Sequence, residues 1–557
     1  MKNIQNPQSE LLFSQTILGI ILFSSLLTYV IGLFLNVMPV DAAQYASISC
    51  EMLENGDFLQ VKHKHQDYLD KPPLLFWLST FSFYLFGISD FAYRLPSFLF
   101  SIIGLFATYQ LAVRLYNKEI ALIAALILAH CQAWFLFNHD VRTDTLLAAS
   151  VIAAIWQLVA YIDTEKYKYL VGSSFFLALA MLSKGPIGLM LPVLALGSHF
   201  LLKRQWHIFV KWQWLLVFVL VMLFLSPMLL GLYQQFGWHG IQFYFWEQSF
   251  GRITGGNVWK DETSYFFFLH TFLWAFLPFT LWALAAVTKN AYHLIKNKFH
   301  SNSLHEAITL GGIILPFAVL SLSHYKLPHY IFVCFPLIAI LTAVFIKDFF
   351  IEKAEKLKMR KSAIYGQMTI NFLLWLVALS FPIFVFPTTH ALFWSVTVFL
   401  FAVTCYYSFT SVLPIKKLIL TSVFTAIGIN FILNAHAYQE LKKYESGYQA
   451  ADLIAVFDKK ENAKIYTYLL SNQSFNYYIQ DIPTELETPE SLALKASSKQ
   501  DIWIYTNKEG VDKLKERKPE LSEVFALNHI HVTKLKIGFF NPKTRGKYTN
   551  VRYLVKW

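Results

Sequence analysis

Acidic and basic side chains recur at the ends of apolar segments of this sequence. They occur as Asp41 in MPVDAAQY, Asp70 and Lys71 in YLDKPP, Arg142 and Asp144 in HDVRTDTLL, Lys184 in LSKGPIG, Arg252 in FGRITG, and Lys326 in HYKLPHY. Carboxylates can remove or hold a proton and fixed cations can hold a phosphate, so the set suits a phosphate carried on a lipid tail. Taken singly, a cation at a helix end is often only a membrane-interface anchor, and Asp41 or Asp144 could simply cap a helix.

The elements that would position these residues are long apolar blocks. Hydrophobic residues make up 56% of the 557 residues and charged residues 15%, against about 25% in soluble proteins. Blocks of membrane-spanning length lie at 11–35, 96–114, 119–137, 145–162, 168–182, 186–202, 213–232, 265–287, 306–322, 328–346, 364–386, 390–412 and 416–434. We therefore predict a polytopic α-helical membrane protein with about thirteen transmembrane helices.

Basic residues orient these blocks. The formal net charge is +12, and clusters of Lys and Arg occupy every second connecting loop, for example 203–211 and 347–361. The opposite short loops, near 138–144, 183–185 and 323–328, hold one basic residue each. The positive-inside rule then predicts that the ionisable set faces the outside of a bacterial inner membrane. Because topology accounts for the charge, no nucleic-acid partner is expected.

The first outer loop, 36–94, is unusually long, and long loops often carry function. Its apolar stretch at 73–86 is too short to span a bilayer, so we expect an interfacial or re-entrant helix on the outer face. An aromatic surface on this helix could guide a lipid tail, or it could be an ordinary aromatic belt at the membrane boundary. Its members are Phe76, Trp77, Phe81, Phe83 and Tyr84.

The composition changes near the end of the predicted transmembrane domain, 1–437. Residues 438–557 carry roughly twice the charged fraction of the whole chain, which favours a soluble domain. Strand-like runs at 463–469, 501–505 and 551–555 alternate in it with helix-like stretches at 447–457 and 509–517. This pattern predicts a small α/β domain, and the odd number of predicted spans places it on the periplasmic side.

Seven sequence motifs in the first 350 residues carry a family resemblance. They are, in order, DAAQYASISCEMLENGDFL, DYLDKPPLLFWL, SDFAYRLPS, RTDTLL, SKGPIGL, FWEQSFGRITG and KLPHYIFVCFP. In order and spacing they resemble the aminoarabinose transferase and protein O-mannosyltransferase group of GT-C membrane glycosyltransferases. The resemblance implies a GT-C-like fold and a transferase that uses a polyprenyl-phosphate-linked sugar as donor at the outer face of the membrane.

The resemblance also assigns roles. Asp41 matches the acidic residue of the first loop, and Asp144 matches the acid of the second outer loop; we take these two as the catalytic candidates. Where many relatives have Asp-Glu-x-Arg-Tyr, this chain reads Asp41-Ala42-Ala43-Gln44-Tyr45, without the second acid and the arginine. The candidates for binding the donor phosphate are Lys71, Tyr68, Arg252, Lys326 and Tyr330. The candidates for binding other parts of the substrates are Asp70, Tyr45, Arg142, Lys184, Trp246 and Glu247.

The chemistry of sugar transfer explains why such residues are needed. Positive charge develops at the anomeric carbon and negative charge on the leaving phosphate, so fixed cations stabilise the transition state. A hydroxyl acceptor needs its proton removed by a carboxylate, for which Asp41 is the first choice, whereas a phosphate acceptor needs no base. No cofactor is assigned: a divalent metal is compatible with carboxylates near His63, His65 and His139, although no ligand spacing demands one.

Two questions stay open at the level of the sequence. The acceptor could be a lipid similar to lipid A, as in the nearest motif match, or a protein hydroxyl. A transporter or flippase for a lipid-linked sugar is the alternative of another class, but it would place charges and broken helices near the bilayer midplane. Here the charged residues lie at the outer ends of the blocks, which favours an enzyme.

Overall fold

The computed structural model describes residues 12–38, 40–251, 263–351, 357–457, 463–486, 502–521 and 523–557. Helices up to residue 242 are α1 Gln15–Leu33, α2 Asp41–Asn55, α3 Leu74–Phe86, α4 Asp90–Leu115, α5 Lys118–His130, α6 Gln132–Leu136, α7 Thr143–Thr164, α8 Tyr167–Lys184, α9 Ile187–Leu202 and α10 Gln213–Gln242. Those up to residue 442 are α11 Phe267–Ala275, α12 Thr280–Lys296, α13 Ile308–Leu322, α14 Phe335–Ile351, α15 Leu357–Ser380, α16 Ala391–Phe409, α17 Pro414–Ile432 and α18 Tyr438–Lys442.

Every predicted apolar block contains helix, so the chain is an α-helical, multi-pass membrane protein. In the described residues, eight helices are long and apolar enough to cross a bilayer, and three shorter apolar ones are Leu74–Phe86, Ile187–Leu202 and Ile308–Leu322. The block predicted at 265–287 is two helices, α11 and α12, separated around Pro278, whose missing N–H cannot continue a helix. The number of helices that cross the membrane stays a prediction.

α7 lies at the centre of the helical part, and most of its side chains are buried. It packs against α4 on one side and α8 on the other. Small residues allow close approach between such helices. At Gly104 of α4, an added Cβ would lie 2.7 Å from the Trp134 ring and 3.3 Å from the Ala149 Cα, so only glycine fits there.

The long first outer loop is largely folded. It contains α2, a two-stranded hairpin of β1 Lys62–His63 and β2 Gln66–Asp67, and α3. α2 ends at Gly56, whose φ of 67° is the left-handed conformation that glycine adopts readily. α4 begins within the predicted loop at Asp90, where the Ser89 hydroxyl caps the helix by accepting from the Ala92 N–H at 3.3 Å.

The aromatic side chains of α3 do not form the single surface expected from the sequence. Phe76 and Phe83 are buried in the protein, whereas Phe81 and Tyr84 are exposed. Trp77 is half-buried, and its indole N–H donates to the carbonyl of Phe58 at 2.6 Å. The prediction of one aromatic face is wrong because both sides of the helix are apolar, and only tertiary contacts decide which side is covered.

The rest of the chain folds around a mixed sheet. Its elements are α19 Ser446–Phe457, β3 Lys464–Tyr468, α20 Gln473–Ile479, β4 Thr484–Leu486, β5 Ile502–Thr506, α21 Lys508–Arg517, β6 Val524–His529 and β7 Asn550–Lys556. The sheet order is β4-β3-β5-β7-β6, in which β3 is parallel to β4 and β5, and β7 is antiparallel to β5 and β6. We call these elements the C-terminal unit. The predicted boundary at 437/438 lies inside a helical segment that runs from Pro414 to Lys442.

Candidate active site

Nine of the predicted site residues line one cavity of about 300 Å³. They come from the start of α2, the turn before α3, the start of α7, the end of α8 and the segment before α14. The lining residues are Asp41, Gln44, Tyr45, Tyr68, Asp70, Lys71, Arg142, Thr143, Asp144, Lys184, Tyr325, Leu327, His329 and Tyr330. A cavity of this size with convergent charged groups is typical of a small-ligand site.

Asp41 stands in the first turn of α2, where the positive end of the helix dipole favours a carboxylate. It is not the helix cap, because Val40 is the capping residue and no side chain caps the helix. Its Oδ2 accepts from Nη1 of Arg142 at 2.7 Å, and the Nε of Arg142 donates to Asp140 at 2.7 Å. Burial alone would lower the pKa of Arg142, but Asp140 and Asp41 raise it above its usual value. Asp41 is 36% exposed and can meet a ligand.

Asp144 occupies the first turn of α7 and is enclosed by two cationic or polar partners. Lys184, the last residue of α8, pairs with Oδ1, and Nε2 of His329 lies 3.5 Å from Oδ2. The carboxylate is 4% exposed, and no side chain caps α7. The Nζ of Lys184 also lies 3.9 Å from the centre of the Tyr330 ring. Both oxygens of Asp144 are therefore engaged inside the protein.

Asp70 and Lys71 form an adjacent pair at the mouth of the cavity. The Nζ of Lys71 donates to Oδ2 of Asp70 at 2.5 Å, and the side chains are 15% and 37% exposed. The amide of Gln248 donates to the Asp70 carbonyl at 2.6 Å, which ties the segment after α10 to this turn. Tyr45 is buried nearby; burial and then the Asp41 carboxylate raise the pKa of its phenol well above 10, so it remains a hydrogen-bond donor.

Three of the predicted site residues that the structure describes do not line this cavity. The Nζ of Lys326 donates to the carbonyl of Thr263 at 3.1 Å and lies 5.3 Å from the centre of the Tyr265 ring. Lys326 is thus turned away, because its neighbours Tyr325 and Leu327 supply the lining. Trp246 is 61% exposed outside the cavity, and Glu247 is half-buried outside it. Arg252 lies outside the described residues.

Five lining residues were not predicted. They are Gln44, Thr143, Tyr325, Leu327 and His329. Gln44 and Thr143 adjoin predicted residues along the chain, and that proximity was a usable signal. His329 precedes Tyr330 in the quoted KLPHY motif, but its contact with Asp144 joins two segments far apart in sequence.

Carboxylates and cations are balanced in the cavity lining. Asp41, Asp70 and Asp144 face Arg142, Lys71 and Lys184, and each acid is paired with one base. Among the described residues, no group of three His, Cys, Asp or Glu side chains could hold a metal ion. His63 contacts amides, His65 lies 3.4 Å from Glu51, and His139 has no hydrogen-bond partner at either ring nitrogen.

Residues 70–230 match the sequence model of the family described as dolichyl-phosphate-mannose-protein mannosyltransferase. An uncharacterised protein of Aquifex aeolicus is 27% identical over 335 residues, which are 59% of this chain and 74% of that protein. An undecaprenyl phosphate-alpha-4-amino-4-deoxy-L-arabinose arabinosyl transferase of Erwinia tasmaniensis is 26% identical over 325 residues. That match spans 57% of this chain and 57% of the Erwinia protein.

Solved structures match over almost the whole chain. The crystal structure of ArnT from Cupriavidus metallidurans bound to undecaprenyl phosphate superposes with a TM-score of 0.73, covering 98% of both chains at 17% identity. The same protein in the apo state gives a TM-score of 0.70. The resemblance to the aminoarabinose transferase and protein mannosyltransferase group is therefore confirmed, and this chain has the fold of the ArnT crystal structures.

Proposed function

We propose that the chain is a glycosyltransferase that moves a sugar from a polyprenyl-phosphate donor to a lipid acceptor similar to lipid A. The observation that carries this proposal is the cavity in which three carboxylates and three cations meet, between the first outer loop and the ends of α7 and α8. The ArnT fold and the aminoarabinose transferase relatives support the donor and acceptor classes. The site and the C-terminal unit would lie on the periplasmic side of the inner membrane, as the basic loops indicate.

The three cations of the cavity differ in how tightly each is held by carboxylates, and this difference indicates which one can bind a phosphate. Lys184 is locked against the buried Asp144, and Arg142 is held by two carboxylates. Within the part of the chain that the structure describes, Lys71 pairs with its exposed neighbour Asp70, so an entering phosphate can replace that carboxylate without leaving a buried charge unpaired. Lys71 is therefore our choice for the donor phosphate, with Tyr68 and Tyr330 in the same wall. As the sugar–oxygen bond breaks, this cation stabilises the negative charge on the leaving phosphate.

Asp41 is our choice for the residue that acts on the acceptor. It combines exposure with a fixed orientation, since Arg142 holds one oxygen, whereas the equally exposed Asp70 is held by Lys71, the cation assigned to the donor phosphate. With a hydroxyl acceptor it would take the proton as the new bond to the anomeric carbon forms. With a phosphate acceptor it would orient the attacking group instead. Attack opposite the leaving phosphate would invert the configuration of the sugar.

The substrates can be identified by mass spectrometry of envelope lipids and proteins from cells with and without the chain. We expect one added sugar on a lipid and an unchanged protein glycosylation profile. Modified proteins with unmodified lipids would overturn the lipid acceptor and favour protein O-mannosyltransferase-type transfer. A donor that crosses the membrane without any transferred sugar would favour a flippase.

The role of Asp41 is tested with purified protein in liposomes that contain a polyprenyl-phosphate sugar. We expect Asp41→Asn to lower turnover by about 10²-fold to 10⁴-fold, the usual contribution of a positioned acid or base. Asp452→Asn is a matched control, because this exposed carboxylate of α19 does not line the cavity. Full activity of Asp41→Asn would contradict the assignment.

A further inference from the structure

Helix α20 of the C-terminal unit lies against α2, the helix that carries Asp41. Their contact includes a hydrogen bond from the Ser47 hydroxyl to the Gln473 carbonyl at 3.4 Å. Just before α20, the Ser471 hydroxyl accepts from the Nζ of Lys64 at 3.1 Å. The first outer loop and the C-terminal unit are thus joined by hydrogen bonds.

Tyr478 fixes the chain that leads into α2. Its hydroxyl donates to Oδ1 of Asp90 at 2.9 Å and accepts from the backbone N–H of Val37 at 2.6 Å. Val37 is buried and precedes Asp41 by four residues. The same segment is held by Arg94, which donates to the Asn36 carbonyl at 2.9 Å. Tyr478 therefore ties the approach to α2 to the first residue of α4.

Tyr477 acts on the first turn of α2 through one intermediate. Its ring is stacked on Phe83 at 6.4 Å and lies 6.1 Å from the ring of Tyr93. The Tyr93 hydroxyl donates to the carbonyl of Ala42 at 2.6 Å. Ala42 is the residue after Asp41. Packing of Tyr477 against Tyr93 therefore helps to fix the position of the Asp41 carboxylate through the Tyr93 hydrogen bond.

Gln473 reaches the cavity wall by another route. Its side-chain oxygen lies 3.2 Å from Nε2 of His63, and Nδ1 of His63 lies 3.5 Å from the Gln44 amide. Gln44 lines the cavity. One imidazole therefore separates the C-terminal unit from a side chain that faces the substrate space.

We propose that α20 is a positioning element of the active site, through Tyr478, Tyr477 and Gln473. The start of α2 has no side-chain cap of its own, so local sequence does not fix its first turn. The bonds from Tyr478 and Tyr93 supply that constraint, and site geometry must be held within about 0.5 Å to be productive. The C-terminal unit thus contributes to turnover without touching substrate. Only the kinetic consequence rests on the proposed function.

The test is Tyr478→Phe in the full chain, read by hydrogen–deuterium exchange and by kinetics. We expect faster exchange in the segment 36–46, because the Val37 N–H loses its shorter hydrogen bond and keeps only the 3.3 Å bond to Oδ1 of Asp90. Exchange in β5 should stay unchanged. With the proposed donor, turnover should fall about tenfold while KM for the donor stays within about twofold, as expected when one hydrogen bond that orients a catalytic group is lost.

Tyr553→Phe is the matched control. Tyr553, on β7, packs against an apolar cluster of the sheet that includes no described residue of 36–46, so exchange there should not change. Gln473→Leu is a second variant and should also raise exchange near α2. Unchanged exchange at 36–46 in both variants would overturn the proposal, as would a normal turnover despite faster exchange. Faster exchange throughout β5 would indicate general destabilisation and would also count against it.

The exchange measurement needs no substrate. If the parent protein transfers no sugar but Tyr478→Phe still loosens the segment 36–46, the proposed function fails and the positioning role of α20 stands. If the parent transfers sugar but neither variant changes exchange at 36–46, the proposed function stands and the positioning role of α20 fails.

Discussion

Each carboxylate of the candidate site is paired with a cation, and the pairs differ in how far the carboxylate is exposed to solvent. Asp41 and Asp70 are each more than a third exposed, whereas Asp144 is almost fully enclosed. Nine of the residues named from the sequence line one cavity, because residue type and position next to an apolar segment or within a quoted motif are local properties of the sequence. The sequence alone could not distinguish Asp41 from Asp144, because the partners of Asp144 come from α8 and from the segment before α14.

The buried ion pair of Asp144 and Lys184 predicts that a single variant is less stable than the double variant. Lys184→Gln should lower the free energy of unfolding by about 3 kcal/mol, because it leaves the buried Asp144 charge without its partner. Adding Asp144→Asn should restore most of that loss, since no charge then remains buried. The measurement is the shift in thermal unfolding of the detergent-solubilised variants. A double variant less stable than Lys184→Gln would show that the pair does not act as one electrostatic unit.

At the scale of elements, every apolar block named from the sequence contains helix, because the length and hydrophobicity of a segment are local properties of sequence. The apolar pattern missed the break around Pro278, because the flanking residues are apolar on both sides. It also missed the start of α4 at Asp90, because the first turn of that helix contains polar residues. It also gave α3 one aromatic face where the structure has two. Which face of an apolar helix is covered depends on residues far away in the chain, such as Tyr477, which stacks on Phe83.

The close contact of α4 with its neighbours predicts a steric effect. Gly104→Ala should lower the unfolding temperature, because its methyl group would lie within 3 Å of the Trp134 ring. Gly19→Ala in α1 is the matched control. No atom lies within 4 Å of a Cβ there, and alanine favours helix by up to about 1 kcal/mol, so stability should hold or rise. Equal melting temperatures for the two variants would contradict the packing of α4 described above.

At the scale of the whole molecule, the helical part and the C-terminal unit each contain a histidine that burial keeps neutral. Burial, and then the nearby Arg94, lower the pKa of His139 to about 3, and its ring packs between those of Phe135 and Tyr438. Burial lowers the pKa of His529, on β6, to about 3 as well. Each stays neutral in the folded protein at a pH where the unfolded chain already binds a proton.

These histidines predict loss of stability in acid. Below the unfolded pKa of about 6.5 the unfolded state binds more protons, so the free energy of unfolding falls as pH falls. From pH 7 to pH 5 the loss should be about 2 kcal/mol for His139. His139→Phe should remove that part of the loss, because phenylalanine binds no proton. The substitution breaks no hydrogen bond within the described residues. His207→Gln, at an exposed position, should leave the pH dependence unchanged. Thermal unfolding at both pH values measures the effect, and an equal acid shift in His139→Phe and the parent would contradict it.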